Sequence, residues 1–200
     1  MNPMNSRLST PDSRSWTIWL TGLPGSGKTV IARKVKQLLE ENAVKVRILQ
    51  LDEIRKVITP VPTYSEAERD MVYSSLAYMA KLLTQVGTNV IIDATGNRLR
   101  YRELARRLIP NFAEVYLQCP LEVCIRRESK RQNKFTPQDI YTKSKKEGAT
   151  VPGVNVPYEE PEAPEIVVDT ARLDINQAAQ KIVKGIEDLF CNGQDAVGCK

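Results

Sequence analysis

The 200-residue sequence contains no histidine. Imidazole metal ligands and a histidine general base are therefore excluded, and carboxylates and lysines remain as candidate bases. The four cysteines, Cys119, Cys124, Cys191 and Cys199, form no C-x-x-C pair, so a zinc site is not expected. Cys119 and Cys124 lie in apolar sequence and read as buried thiols. A Cys191–Cys199 disulfide would need an oxidising compartment, whereas the chain reads as cytoplasmic. No apolar run approaches the roughly 18 residues of a membrane helix. The first fifteen residues lack the apolar centre of a secretory signal and are expected to form a mobile arm. A guanine-binding N-K-x-D is missing too, because Asn133 and Lys134 are followed by Phe135 and Thr136. The net charge of +5 is mild. It suits an enzyme for anionic substrates as well as a solvated surface, and no nucleic-acid partner is expected.

What is present has the rhythm of an α/β protein. Short runs rich in Val and Ile recur at 16–21, 45–49, 89–93, 114–118 and 165–169. They are mostly unalternating, as strands buried on both faces of a parallel sheet are. Helical patterns separate them. Ser65 and Glu68 fit a capping box opening a helix that runs to about Val86 and stops at Gly87. The last helix is expected to bury Ile175, Ala178, Ala179, Ile182, Val183, Ile186 and Leu189. The expected fold is a doubly wound, mostly parallel five-stranded sheet with helices on both faces, of the P-loop NTPase type. The expected division is an arm at 1–15, one domain at 16–190 and a tail at 191–200. Within the domain, the charged segment at about 128–150 is expected to form a lid, with a short helix restarting at Thr136 and Pro137. Residues 150–164 carry four prolines and read as a loop.

The most specific motif is GLPGSGKT, formed by Gly22, Leu23, Pro24, Gly25, Ser26, Gly27, Lys28 and Thr29. It sits between an expected strand and an expected helix, the context of a phosphate-binding loop. The glycines let backbone N–H groups converge on phosphate oxygens, and the helix start adds its dipole. Lys28 is suited to the β- and γ-phosphates and Thr29 to a magnesium ion. Asp52 follows the second strand. It is a candidate to accept a hydroxyl proton or to help hold magnesium. Arg55, one helical turn on, is suited to an anionic acceptor. Asp93 ends a Val-Ile-Ile run and reads either as a magnesium-positioning carboxylate or as a strand-end turn residue.

Several segments together resemble the adenylyl-sulfate kinases. WLTGL at 19–23, YSEAER at 64–69, PLEVC at 120–124 and VPYEEPEAPE at 156–165 are similar to that family's W-L-T-G-L, F-S-E-x-[DE]-R, P-L-E-V-C and D-P-Y-E-x-P-x-x-P-E. The resemblance covers about residues 15–170. It implies ATP-dependent phosphorylation of the 3′-hydroxyl of adenylyl sulfate, with magnesium as cofactor and a possible homodimer. By position it implies that Asp52 is the catalytic carboxylate, that Arg55 and Arg69 contact adenylyl sulfate, and that Arg127 stands at the start of the lid on the ATP side.

The chain also departs from the pattern. Gln50 replaces the first aspartate of D-G-D-N-[IV]-R, and Val72 replaces an asparagine. Asp93-Ala-Thr-Gly-Asn97 replaces S-F-I-S-P, and Thr150-Val-Pro-Gly-Val-Asn155 replaces G-F-T-G-[IV]-D. The two phenylalanines expected to sandwich the acceptor adenine are thus missing. Asn97, Val151 and Pro152 stand in the replaced segments, Arg98 directly follows the first of them, and these four are the candidates for those contacts. Two other readings remain open from the sequence: a P-loop kinase for another small or nucleoside-like hydroxyl acceptor, and a non-catalytic nucleotide-sensing or RNA-binding protein.

Overall fold

The computed structural model describes residues 15–130, 140–144 and 149–191. Five strands form one parallel sheet: β1 (Thr17–Thr21), β2 (Val46–Gln50), β3 (Asn89–Asp93), β4 (Phe112–Gln118) and β5 (Ile166–Asp169), in the order β2-β3-β1-β4-β5. β4 begins two residues before the expected start because Phe112 and Ala113 pair with Thr17 and Ile18. Successive side chains bury into opposite faces. Ile18, Leu20, Ile91 and Val115 join a core with α1 (Lys28–Glu41) and α7 (Ile175–Phe190). Trp19, Val90 and Ile92 join a second core with α3 (Glu66–Gln85) and α4 (Leu99–Leu108). Two apolar faces explain why the strand sequences do not alternate.

The ends of two helices differ from expectation. Ser65 Oγ does accept from Glu68 N at 3.2 Å, and Gly87, with φ of 84°, lies beyond the end of α3. The Glu68 carboxylate, however, does not return to Ser65 N. It is taken by Thr63, Tyr64 and Arg55. The complete capping box belongs to α7, between Asp174 and Gln177. In α7, Ile175 and Leu189 are 49% and 45% exposed, although both were expected in the buried stripe. Leu173 and Phe190 pack on the core at the two ends of the helix instead, Phe190 stacking on Trp16 with ring centroids 5.9 Å apart.

The proline-rich loop is anchored by α4. Arg102, 1% exposed, donates to Glu114, to the Gly96 carbonyl and to the Glu159 carbonyl. Burial pushes the Glu114 carboxyl up, and the Arg102 charge opposes that rise. Asn97 Nδ2 donates to Pro157 O at 3.1 Å, and Glu159 N donates to Asn97 O at 2.8 Å. The Glu159 side chain receives Leu99 N at 2.7 Å and Arg98 Nη1 at 2.9 Å. These two bonds hold the Glu159 carboxyl below its ordinary value. A depressed carboxylate stabilises the fold above its unfolded pKa, and that contribution disappears as pH falls through the folded value. The difference in melting temperature between wild type and Glu159→Gln should therefore be present at neutral pH and shrink below about pH 4.3, the ordinary Glu value. Thermal melts of both proteins across this range check it.

Thr136, Pro137 and Cys199 lie outside the described residues, as do residues 1–14 and 192–200. Cys119 and Cys124 are buried. Among the described residues no helix is long and apolar enough to cross a membrane.

Candidate active site

The C-terminal ends of the central strands open into a cavity of about 950 Å³. β1 delivers the chain into the glycine-rich loop, and α1 starts at Lys28 behind Gly27, whose φ is 99°. A Cβ on Gly25 would lie 2.4 Å from the carbonyl oxygen of Cys124 in α5 (Leu121–Glu128), so only glycine fits that close approach. Residues from Pro24 to Thr29 line the cavity. Lys28 Nζ donates to the carbonyls of Gly22 and Leu23 at 2.9 Å each. This tether fixes the ammonium across the loop. Gly22 and Leu23 themselves do not line the cavity. Gly22 packs on Leu117, and Leu23 packs against Gly153 of the proline-rich loop. The fully buried Ser26 Oγ has no hydrogen-bond partner among the described residues. Tyr141, in α6 (Ile140–Lys143), donates its hydroxyl to Pro24 O at 2.7 Å and holds the start of the loop.

Two carboxylates reach the same cavity. Asp52 lies in the first turn of α2 (Leu51–Ile58), directly after β2, and Asp93 ends β3 at 4% exposure. Among the described residues no group of three or more Asp, Glu, Cys or His forms a metal cage. Thr29, Asp52 and Asp93 instead offer hard oxygen donors beside the phosphate loop. That set suits a magnesium ion, which keeps water and phosphate oxygens as its other ligands. Arg127 lines the cavity and donates to Thr170 O at 2.7 Å and to Thr170 Oγ1 at 3.4 Å. The neighbouring Cys124 thiol is pushed up to about 12 by burial and by Cys119, against Lys28 and Arg127. It remains a neutral packing group.

Arg55 and Arg69 also open onto the cavity. Arg55 is 7% exposed and pairs with Glu68 at 2.6 Å. Arg69 Nη2 donates to Thr150 O and Thr150 Oγ1 at 2.8 Å each, and its Nε donates to Tyr64 O at 3.1 Å. A local pairing of Arg69 with Glu66 is not found. Arg100 takes Glu66 and Asp70 instead. Both cavity arginines lie over the Tyr64 ring, 5.1 and 5.9 Å from its centroid. Val151 and Pro152 line the cavity; Asn97 and Arg98 do not, because both anchor the proline-rich loop. Thr63, Tyr64, Tyr73, Thr95 and Thr150 line it without having been singled out. For Tyr64 a signal existed: it stands where F-S-E-x-[DE]-R has its aromatic. Tyr73 lies within an apolar helical pattern and carried none.

A parallel sheet with a phosphate loop at its crossover point defines a P-loop nucleotide-binding protein. The model of the adenylylsulphate kinase family matches residues 14–169. A probable adenylyl-sulfate kinase of Pyrococcus abyssi is 39% identical over 175 residues, covering 87% of this chain and 96% of that protein. Another, of Archaeoglobus fulgidus, is 37% identical over 161 residues, covering 80% and 99%. The solved structure of the Mycobacterium tuberculosis APS kinase in complex with AMPPNP and APS is similar at a TM-score of 0.77 and 29% identity, covering 87% of this chain and 98% of that one. The chain belongs to the adenylylsulphate kinase family, whose reaction is ATP-dependent phosphorylation of a substrate hydroxyl.

Proposed function

We propose that this cavity transfers the γ-phosphoryl group of ATP to the 3′-hydroxyl of adenylyl sulfate. The observation that carries the reading is the meeting, in one cavity, of Pro24–Thr29 of the phosphate loop, the Asp52 carboxylate and the Arg55–Tyr64–Arg69 cluster. The loop amides and Lys28 hold the ATP phosphates and stabilise the charge that gathers on the transferring group. Arg127 belongs to the ATP side. Arg55 and Arg69 present guanidinium donors to the phosphate and sulfate oxygens of the acceptor. The Tyr64 ring offers an aromatic face for the acceptor adenine, and Val151 and Pro152 offer apolar surface. Asp52 orients the 3′-hydroxyl and takes its proton as the oxygen attacks. Magnesium, held by Thr29 with Asp52 and Asp93, would supply charge neutralisation between the phosphates. Tyr141 holds α6 against Pro24 at the nucleotide end, where exclusion of water keeps the phosphoryl group for the acceptor.

A cytoplasmic location belongs to the same reading. So does a homodimer, supported by the exposed apolar stripe Met71, Tyr78, Leu82 and Val86 along α3. Replacing Arg55 or Arg69 by alanine should raise the Michaelis constant for adenylyl sulfate about 10- to 100-fold, the worth of a charge-assisted hydrogen bond. The constant for ATP should hardly change. Separate binding titrations of the two nucleotides check this, and unaltered adenylyl-sulfate affinity in both variants would assign the compartment to another acceptor.

A further inference from the structure

Glu68 reads in the sequence as half of a capping box, yet its carboxylate serves two other elements. Oε1 accepts from Arg55 Nη1 of α2 at 2.6 Å. Oε2 accepts from Thr63 N, from Thr63 Oγ1 at 2.7 Å and from Tyr64 N at 3.2 Å. The side chains of Glu68 and Arg55 are each 9% exposed. Tyr64 sits at φ of 56°, a backbone conformation that a tyrosine rarely adopts unless its surroundings hold it there. One carboxylate therefore sets the direction of the Arg55 fork and pins the turn that carries the Tyr64 ring.

We infer that Glu68 is the positioning residue of the acceptor compartment, fixing Arg55 and Tyr64 in the geometry that receives adenylyl sulfate without itself touching the ligand. Glu68 does not line the cavity, whereas Arg55, Thr63 and Tyr64 do. The chemistry of the clamp requires two acceptor oxygens. Arg55 Nη1, Thr63 N and Tyr64 N can only donate, and a glutamine has one oxygen and one NH2. Whichever way the amide turns, its NH2 meets either the Arg55 guanidinium or the Thr63 and Tyr64 N–H groups. Glutamine thus keeps the size of the side chain and breaks one half of the clamp. Arg55 also loses the charge that compensates it and is free to turn from its bound direction.

The inference rests on the acceptor reading above, and steady-state kinetics separate the two. With ATP saturating and adenylyl sulfate varied, Glu68→Gln should raise the acceptor Michaelis constant by about tenfold or more, the scale of one misdirected charge-assisted hydrogen bond. The turnover number at saturating acceptor and the constant for ATP should stay within about twofold of wild type, as they do when only ground-state positioning is lost. Glu68→Asp keeps the charge but is one methylene short of spanning both sides. It should show a smaller rise in the acceptor constant alone, and it carries the test if the glutamine variant does not fold. An unchanged acceptor constant in a folded variant overturns the role of Glu68. So does a fall in turnover with both constants shifted, which is the signature of general damage. Wild-type protein that fails to phosphorylate adenylyl sulfate overturns the acceptor reading itself.

Discussion

Lys28→Ala should abolish phosphoryl transfer while leaving the fold in place. The ammonium is held over the phosphate loop by the Gly22 and Leu23 carbonyls, so it stands ready where charge gathers in the transition state. Removing such a preorganised group costs several kcal/mol, or roughly a thousandfold in rate. The loop's shape rests on other contacts: Gly25 against Cys124, and Pro24 under the Tyr141 hydroxyl. The variant should accordingly melt near the wild-type temperature. Turnover close to wild type in the folded variant would remove this loop from the chemistry.

Asp52→Asn should lower turnover by about 10²- to 10⁴-fold, the range of a lost general base, with a far smaller effect on nucleotide affinity. Asp52 sits in the first turn of α2, and Asp93 sits at the end of β3, on the same cavity. The comparison with Asp93→Asn therefore decides between them. A dead Asp93→Asn beside a nearly unaffected Asp52→Asn would transfer the role to Asp93. Transient kinetics that resolve nucleotide binding from the chemical step make the distinction directly.

The parts of the molecule that could be read from sequence are those written in contiguous residues. β3 matches its run because Val90, Ile91 and Ile92 are buried on both faces, which leaves no alternation to obscure. The phosphate loop is local chemistry on a strand–helix turn. Arg69 is 81 residues from the Thr150 it meets, and it was placed with Arg55 only through the resemblance. What stayed hidden was the choice among partners in space. Glu68 had Ser65 N three residues away and still turned to Thr63, Tyr64 and Arg55, because a buried guanidinium and three convergent donors outweigh one exposed cap bond. Asn97 and Arg98 were expected at the acceptor but are spent on Pro157 and Glu159. No local pattern announces that a loop sixty residues later will need anchoring. Both missing phenylalanines left the aromatic side of the compartment blank in sequence, while Tyr64 was present within a quoted motif.

The most direct measurement is mass spectrometry of the products formed from ATP, magnesium and a panel of hydroxyl acceptors that includes adenylyl sulfate. The account predicts acceptor-dependent ADP together with adenylyl sulfate that has gained a single phosphoryl group, placed on its 3′-oxygen by fragmentation. A phosphorylated product from another member of the panel in its place, or ADP release that no acceptor alters, would contradict it.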